Sequence, residues 1–107
     1  MWFRASSWSL VLAHYHKNGE WQFNLGQYGS CNLWLYRVFS IRPSGEIHRL
    51  SDIIPVSDFE NSTSDLLPIE NGFHTQYYDN SRAGMKTTYR WNPTERMFRL
   101  ESERLLD

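Results

Sequence analysis

His14 and His16 stand one residue apart in the run HYHKNGEW, and Glu20 follows after three more residues. Alternate side chains of a strand share a face, so the two imidazoles are placed to converge on one ion, with Glu20 opening the strand that returns beyond the turn. His48 is a further donor of the same kind. Two other chemistries are written in the residue types. Paired carboxylates such as Asp52 and Asp58, or Glu60 with His74, have the groups needed for proton transfer. Cys31 with a histidine base would make a thiol nucleophile, but GSCN carries no catalytic signature and a lone cysteine is more often a small packed residue. Asn61-Ser62-Thr63 fits a glycosylation acceptor, a three-residue pattern that chance supplies often.

The histidine spacing has a family parallel. His14-x-His16, then Glu20, and later Pro43-x-Gly45-x-x-His48 is similar to the metal-ligand pattern of the cupins, double-sheet barrels in which three histidines and a glutamate hold a divalent metal. The resemblance covers Trp8 to Leu50 and would make His14, His16, Glu20 and His48 the ligands of a metal-binding β-barrel enzyme. The chain has Trp8 and Arg37 where the family pattern has glycine, and Asp52 where it has asparagine. The plainer reading leaves these histidines as polar side chains at strand ends, with no cofactor expected.

The elements that would position such groups are strands. Five Trp, six Tyr and six Phe in 107 residues suit pleated surfaces, and they also suit a binding face. In WSLVLAHYH, Trp8, Leu10 and Leu12 alternate with small residues, and KNG supplies a hairpin turn into EWQFNL, where Trp21, Phe23 and Leu25 share a face. LWLYRVFSI is apolar on both faces and reads as a central strand covered on two sides. RPSG turns it into EIHRL. FHTQYYD and MKTTYRW flank DNSRAG as a hairpin, NPTE leads to RMFRLES, and the tail ESERLLD is compatible with a short helix. About seven strands joined by tight turns give an all-β, antiparallel meander forming a sandwich or small barrel. The length fits a single domain over residues 1–107.

Residues from about 51 to 71 form a long connection broken by Pro55 and Pro68, with short extended pieces. Charge is concentrated here. Leu50 to Ser81 hold Asp52, Asp58, Glu60, Asp65, Glu70 and Asp79 and no Lys or Arg, although the chain's formal charge is only −1. An acidic, aromatic-bearing surface steers a basic partner. The leading expectation is therefore a small interaction protein of immunity or inhibitor type that binds and blocks a basic protein, such as a nuclease toxin or a cell-wall hydrolase. Its contact residues would be Asp52, Asp58, Phe59, Glu60, Asp65 and Glu70, with Tyr77, Tyr78 and Asp79 beside them.

A third reading uses KTTYRWNPTERMFR, where Lys86, Arg90, Arg96 and Arg99 interleave with Tyr89, Trp91 and Phe98 in the manner of a single-stranded nucleic-acid binder. The slight acidity of the whole chain argues against nucleic acid as a partner. No apolar run approaches the about 20 residues that cross a bilayer. The N-terminal run is a poor signal peptide, so a cytoplasmic site is expected, or a periplasmic or secreted one if a leader is removed.

Overall fold

The computed structural model of the chain describes residues 2–4, 8–17, 19–29, 33–57, 66–78 and 84–105. Among these, ten strands form two antiparallel sheets with no helix, and the sheets pack face to face as a sandwich. The larger sheet contains β1 (Trp2–Arg4), β2 (Trp8–Ala13), β3 (Trp21–Tyr28), β4 (Leu33–Ile41), β5 (Ile47–Arg49) and β6 (Ile54–Ser57). They lie in the order β1-β2-β3-β4-β5, and β6 pairs with the other half of β4. The smaller sheet runs β10-β9-β8-β7, from β7 (Leu67–Ile69), β8 (Gly72–Tyr78), β9 (Gly84–Asn92) and β10 (Met97–Leu105).

All seven strands expected from alternation are present. The three others, β1, β6 and β7, are short edge strands. Pro55 and Pro68 sit in β6 and β7, at sheet edges where a missing backbone N–H costs no ladder bond. The tail departs from expectation: residues 101–105 continue β10 beside β9 instead of coiling into a helix. Pairing Leu105 with Met85 and Arg104 with Lys86 satisfies that backbone along a full-length neighbour. A bulge between Leu100 and Ser102, with Glu101, Glu103 and Arg104 along the strand, makes this outer edge a poor template for another chain.

The turns follow their residue types. Gly19 and Gly45 take positive φ, 82° and 89°, in the two hairpin loops, and Gly45 N donates to Arg42 O at 2.8 Å. Gly26 is required for a different reason. It lies on β3 directly across from Tyr36 on β4, and a Cβ there would sit 2.5 Å from the Tyr36 ring.

Burial on β2 and β3 of the larger sheet is inverted. Along β3 the buried positions are Gln22, Asn24 and Gly26, while Trp21 is 54% exposed and Phe23 and Leu25 are half-buried. On β2, Ser9 is buried and Trp8 is exposed. On β4, Trp34, Tyr36, Val38 and Ser40 point inward; Leu33, Leu35, Arg37, Phe39 and Ile41 share the outer face. The central strand is therefore covered on one side only, because the smaller sheet takes the inner face and no described strand lies over the outer one. The core consists of Trp34, Tyr36, Val38, Leu50, Ile54 and Val56 from the larger sheet's side, against Leu66, Phe73 and Phe98, with Tyr15 between them.

Adding a methyl group at Gly26 must push the Tyr36 ring out of a filled core. Gly26→Ala is expected to cost about 1–3 kcal/mol, read as a lower denaturation midpoint with an unchanged m-value.

Candidate functional site

A cleft of about 390 Å³ opens at one end of the sandwich, bordered by His16, Glu20, Ser40, Arg42, His48 and Trp91, with Leu50, Pro93, Arg96 and Arg49 completing the wall. Its construction starts from a buried glutamine. β2 stops at Ala13, and the chain then turns so that Gln22, fully buried on β3, reaches it with its side chain. Gln22 Oε1 accepts from the backbone N–H of Tyr15 at 2.7 Å and of His16 at 2.8 Å, and Nε2 donates to His16 O at 2.6 Å. Asn24 Nδ2 donates to the Tyr15 hydroxyl at 2.6 Å. These bonds send Tyr15 into the core, where its ring meets Phe73 and Phe98 edge-on.

The same clamp turns His16 onto Trp91, with ring centroids 4.2 Å apart and planes 12° from parallel. His16 Nδ1 faces Asn71 Oδ1 at 3.4 Å. His14 goes elsewhere, packing on Trp21 at 4.1 Å. The strand-face convergence expected of His14 and His16 is thus corrected: the strand has ended before either residue, and the two rings lie on different tryptophans. Of the four cupin-like candidates, His16, Glu20 and His48 line the cleft and His14 is absent from its lining. Each of the three has other engagements. Glu20 pairs with Arg42 at 3.5 Å, and His48 Nε2 lies 3.0 Å from Glu46 Oε1. Among the described residues no group of three or more His, Cys, Asp or Glu is gathered closely enough to hold a metal ion, so the cupin-like ligand set does not fit this geometry.

Of the residues expected on an acidic surface, Asp52, Glu70, Tyr77 and Tyr78 are among those described. Asp52 is exposed and paired with Arg99 at 2.7 Å, in a network that also ties Arg99 to Glu95. The hydrogen bonds that Arg99 donates to these two carboxylates, Glu95 foremost, hold its pKa above the usual value. Glu70 is exposed in the turn between β7 and β8, and its carbonyl accepts from Arg90 Nη1. Tyr77 and Tyr78 are the last two residues of β8. Asp58, Phe59, Glu60, Asp65 and Asp79 lie outside the described residues, as do Cys31 and Asn61-Ser62-Thr63.

The nucleic-acid candidate is divided by the pleat. Tyr89, Trp91 and Phe98 pack in or against the core, and the Phe73 and Tyr89 rings stack at 5.2 Å. Lys86 and Arg90 occupy the alternate positions of β9 with Thr88, and register sets Lys86 opposite Arg104. Lys86 and Arg90 therefore face away from the core-packed rings, Arg99 is held by Asp52 and Glu95, and Arg96 borders the cleft beside Trp91. His74, whose Nδ1 is 3.0 Å from Thr88 Oγ1, belongs to the face of Lys86 and Arg90. Burial, and then Lys86, Arg90 and Arg104, press its pKa below the ordinary value.

Sequence reasoning missed Gln22 and Asn24 as positioning residues. The available signal was two amides at alternate places in EWQFNL, which reads as the solvent side of a strand. No protein-family model matches this chain, and no characterised protein or solved structure matches it. Among the described residues no helix is long and apolar enough to cross a membrane.

Gln22→Leu keeps the volume and leaves the Tyr15 and His16 N–H groups without their acceptor. A loss of about 2–4 kcal/mol is expected, together with a change in near-ultraviolet circular dichroism as Tyr15 and the His16–Trp91 stack loosen. His74 makes a separate, signed prediction. Its folded pKa lies below that of the unfolded chain, so the unfolded state takes up the proton first and stability falls as pH drops through about 6.5. His74→Gln keeps a partner for Thr88 and should flatten that acid-side loss in urea titrations at pH 7.5 and 5.5; an unchanged slope would remove His74 as its source.

Proposed function

We propose that this chain is an interaction protein that works by stoichiometric binding, with the outer face of the larger sheet as its contact surface. The supporting observation is the inverted burial. Trp8 is 45% exposed, Trp21 54%, Ile41 36% and Ile47 55%. All four share one face with Leu10, Leu12, Phe23, Leu25, Leu33, Leu35 and Phe39 by register, and the Phe23 and Phe39 rings already stack at 5.3 Å. Strands about 4.8 Å apart and up to about 30 Å long give roughly 500 Å² of flat sheet. Pleated side chains raise the accessible area toward the about 800 Å² that one side of a standard interface contributes. Monomeric proteins seldom leave so large an apolar patch without a partner.

The partner class follows from the charges on that face. Arg37 pairs in register with Leu25 and Arg49 with Phe39, and no carboxylate occupies a register position among them. A second copy of this chain would bury those guanidiniums with nothing opposite them. The reading therefore commits to a different protein, whose patch is apolar and carries carboxylates to meet Arg37 and Arg49. The immunity or inhibitor form of the idea, blocking a basic protein through the acidic connection, belongs to the same class of activity. Its described carboxylates are Asp52, already paired with Arg99, and Glu70.

Photo-reactive residues placed at Ile47 on the outer face and at Glu101 on the smaller sheet test this in extract of the source cell. A stoichiometric adduct at position 47 and none at 101, lost in Trp21→Ser/Ile41→Ser, is the expected result; that double variant should stay folded, since neither side chain is in the core. Adducts confined to position 101, adducts only between copies of this chain, or none at either position would overturn the proposal.

A further inference from the structure

The cleft opens at the end of the sandwich and meets the edge of the apolar face at Arg49, and its cations are not equivalent. Arg42 is shared between Glu20 at 3.5 Å and Glu46 at 3.3 Å. Arg96 and Arg49 make no ion pair among the described residues, although both border the same space; Arg96 is the one whose backbone is unusual. Its backbone is left-handed, with φ 57°, a conformation that glycine or asparagine adopts more cheaply than a long side chain. The turn does not ask for an arginine. Asn92 Oδ1 accepts from the N–H groups of Thr94 and Glu95, and Arg96 N donates to Asn92 O at 2.8 Å. Any residue supplies that last donor except proline.

A cation kept at a strained position, beside a cleft and without an internal counter-charge, directs attention from the fold to what the cleft receives. The wall is rich in donors. The Ser40 hydroxyl and the guanidiniums of Arg42, Arg49 and Arg96 line it; the His16 and His48 rings, turned by Nδ1 and Nε2 to Asn71 Oδ1 and Glu46 Oε1, each add a further donor only as imidazoliums, and Glu20, the one lining carboxylate, is already on Arg42. Ser40 is 2% exposed, so its hydroxyl belongs to a built wall and not to open surface. His16 is fixed by Trp91 beneath it and by Asn71 at Nδ1, which leaves Nε2 as its remaining polar atom. This donor set repels a cation and lacks the gathered ligands of a metal.

We infer that the cleft binds an oxyanion, the phosphate or carboxylate group of a small molecule, with Arg96 as its principal charged ligand, Arg49 beside it, and Arg42, Ser40 and the protonated His16 and His48 rings as hydrogen-bond partners. A guanidinium fork pairs with two oxygens of either group. The volume exceeds that of a bare anion, so the natural ligand carries an organic portion along Trp91.

The test is a nuclear magnetic resonance titration of the whole chain with inorganic phosphate, pyrophosphate and succinate, each at ionic strength matched with sodium chloride. Saturable shifts of the His16 ring and Trp91 indole signals are expected, with a dissociation constant of about 1 mM or below for at least one anion. A response to phosphates alone or to succinate alone identifies the source of the oxyanion. Arg96→Gly should weaken binding by about tenfold or more, close to 1.4 kcal/mol, while melting at the same temperature or higher because glycine relieves the left-handed backbone. Arg104→Gln, on the smaller sheet's other face, should bind as the parent does. If Arg96→Gly melts lower, Arg96→Asn, which also tolerates this φ, is judged by the same binding criterion. The inference is overturned if none of the three anions saturates below about 50 mM, or if both Arg96 variants bind like the parent.

Discussion

The side-chain amide of Gln22 is the interaction on which the rest of the structure depends. It stands in for backbone pairing where β2 has ended, holding both N–H groups and one carbonyl of the Tyr15–His16 segment. With that segment fixed, consecutive residues point to opposite tasks. Tyr15 closes the space between the sheets against Phe73 and Phe98, and His16 forms a wall of the cleft on Trp91. A buried amide is expensive unless each of its atoms has a partner. Both Gln22 atoms are bonded, so the arrangement has one low-energy geometry.

This polar interior explains why the larger sheet is apolar outside. Ser9, Gln22, Asn24 and Ser40 occupy inner positions of the larger sheet, and the inner side of the smaller sheet carries an aromatic group, Phe73, Tyr89, Trp91 and Phe98, in contact with one another at 5.2 Å between centroids. Strand alternation then sends the large apolar residues of β2 and β3 outward, while Trp34, Tyr36 and Val38 of β4 stay inside. In an isolated chain this arrangement leaves hydrophobic burial incomplete.

Much of the architecture was legible in the sequence. Period-two alternation located seven strands, and Gly19 and Gly45 marked their turns, because both signals are local. β6 and β7 were legible only as short extended pieces, since Pro55 and Pro68 break the pattern that announces a strand. The tail 101–105 carries a helix-compatible composition that its long neighbour β9 overrides. Which face of a strand is covered is a tertiary fact. EWQFNL alternates cleanly, and the alternation cannot say that Gln22 and Asn24 are the buried set. The His14–His16 pair misled for a related reason: two residues share a face only while the strand lasts, and this strand ends at Ala13. Arg96 was legible only as one cation of a mixed run, because its left-handed backbone belongs to a turn that tolerates many residues.

Leu50 has a consequence for how the molecule comes apart. Its N–H donates to Val38 O at 2.7 Å on the larger sheet, and its carbonyl accepts from Phe98 N at 2.7 Å on the smaller one. Sandwich layers ordinarily adhere through side chains alone, which lets them slide or part while each ladder survives. Here a main-chain rivet crosses the gap at a 7% exposed residue, so separating the layers breaks hydrogen bonds as well as packing. The Phe98 amide proton is thus sealed by both layers at once, and its exchange with solvent times the opening of the whole sandwich and not the fraying of one sheet.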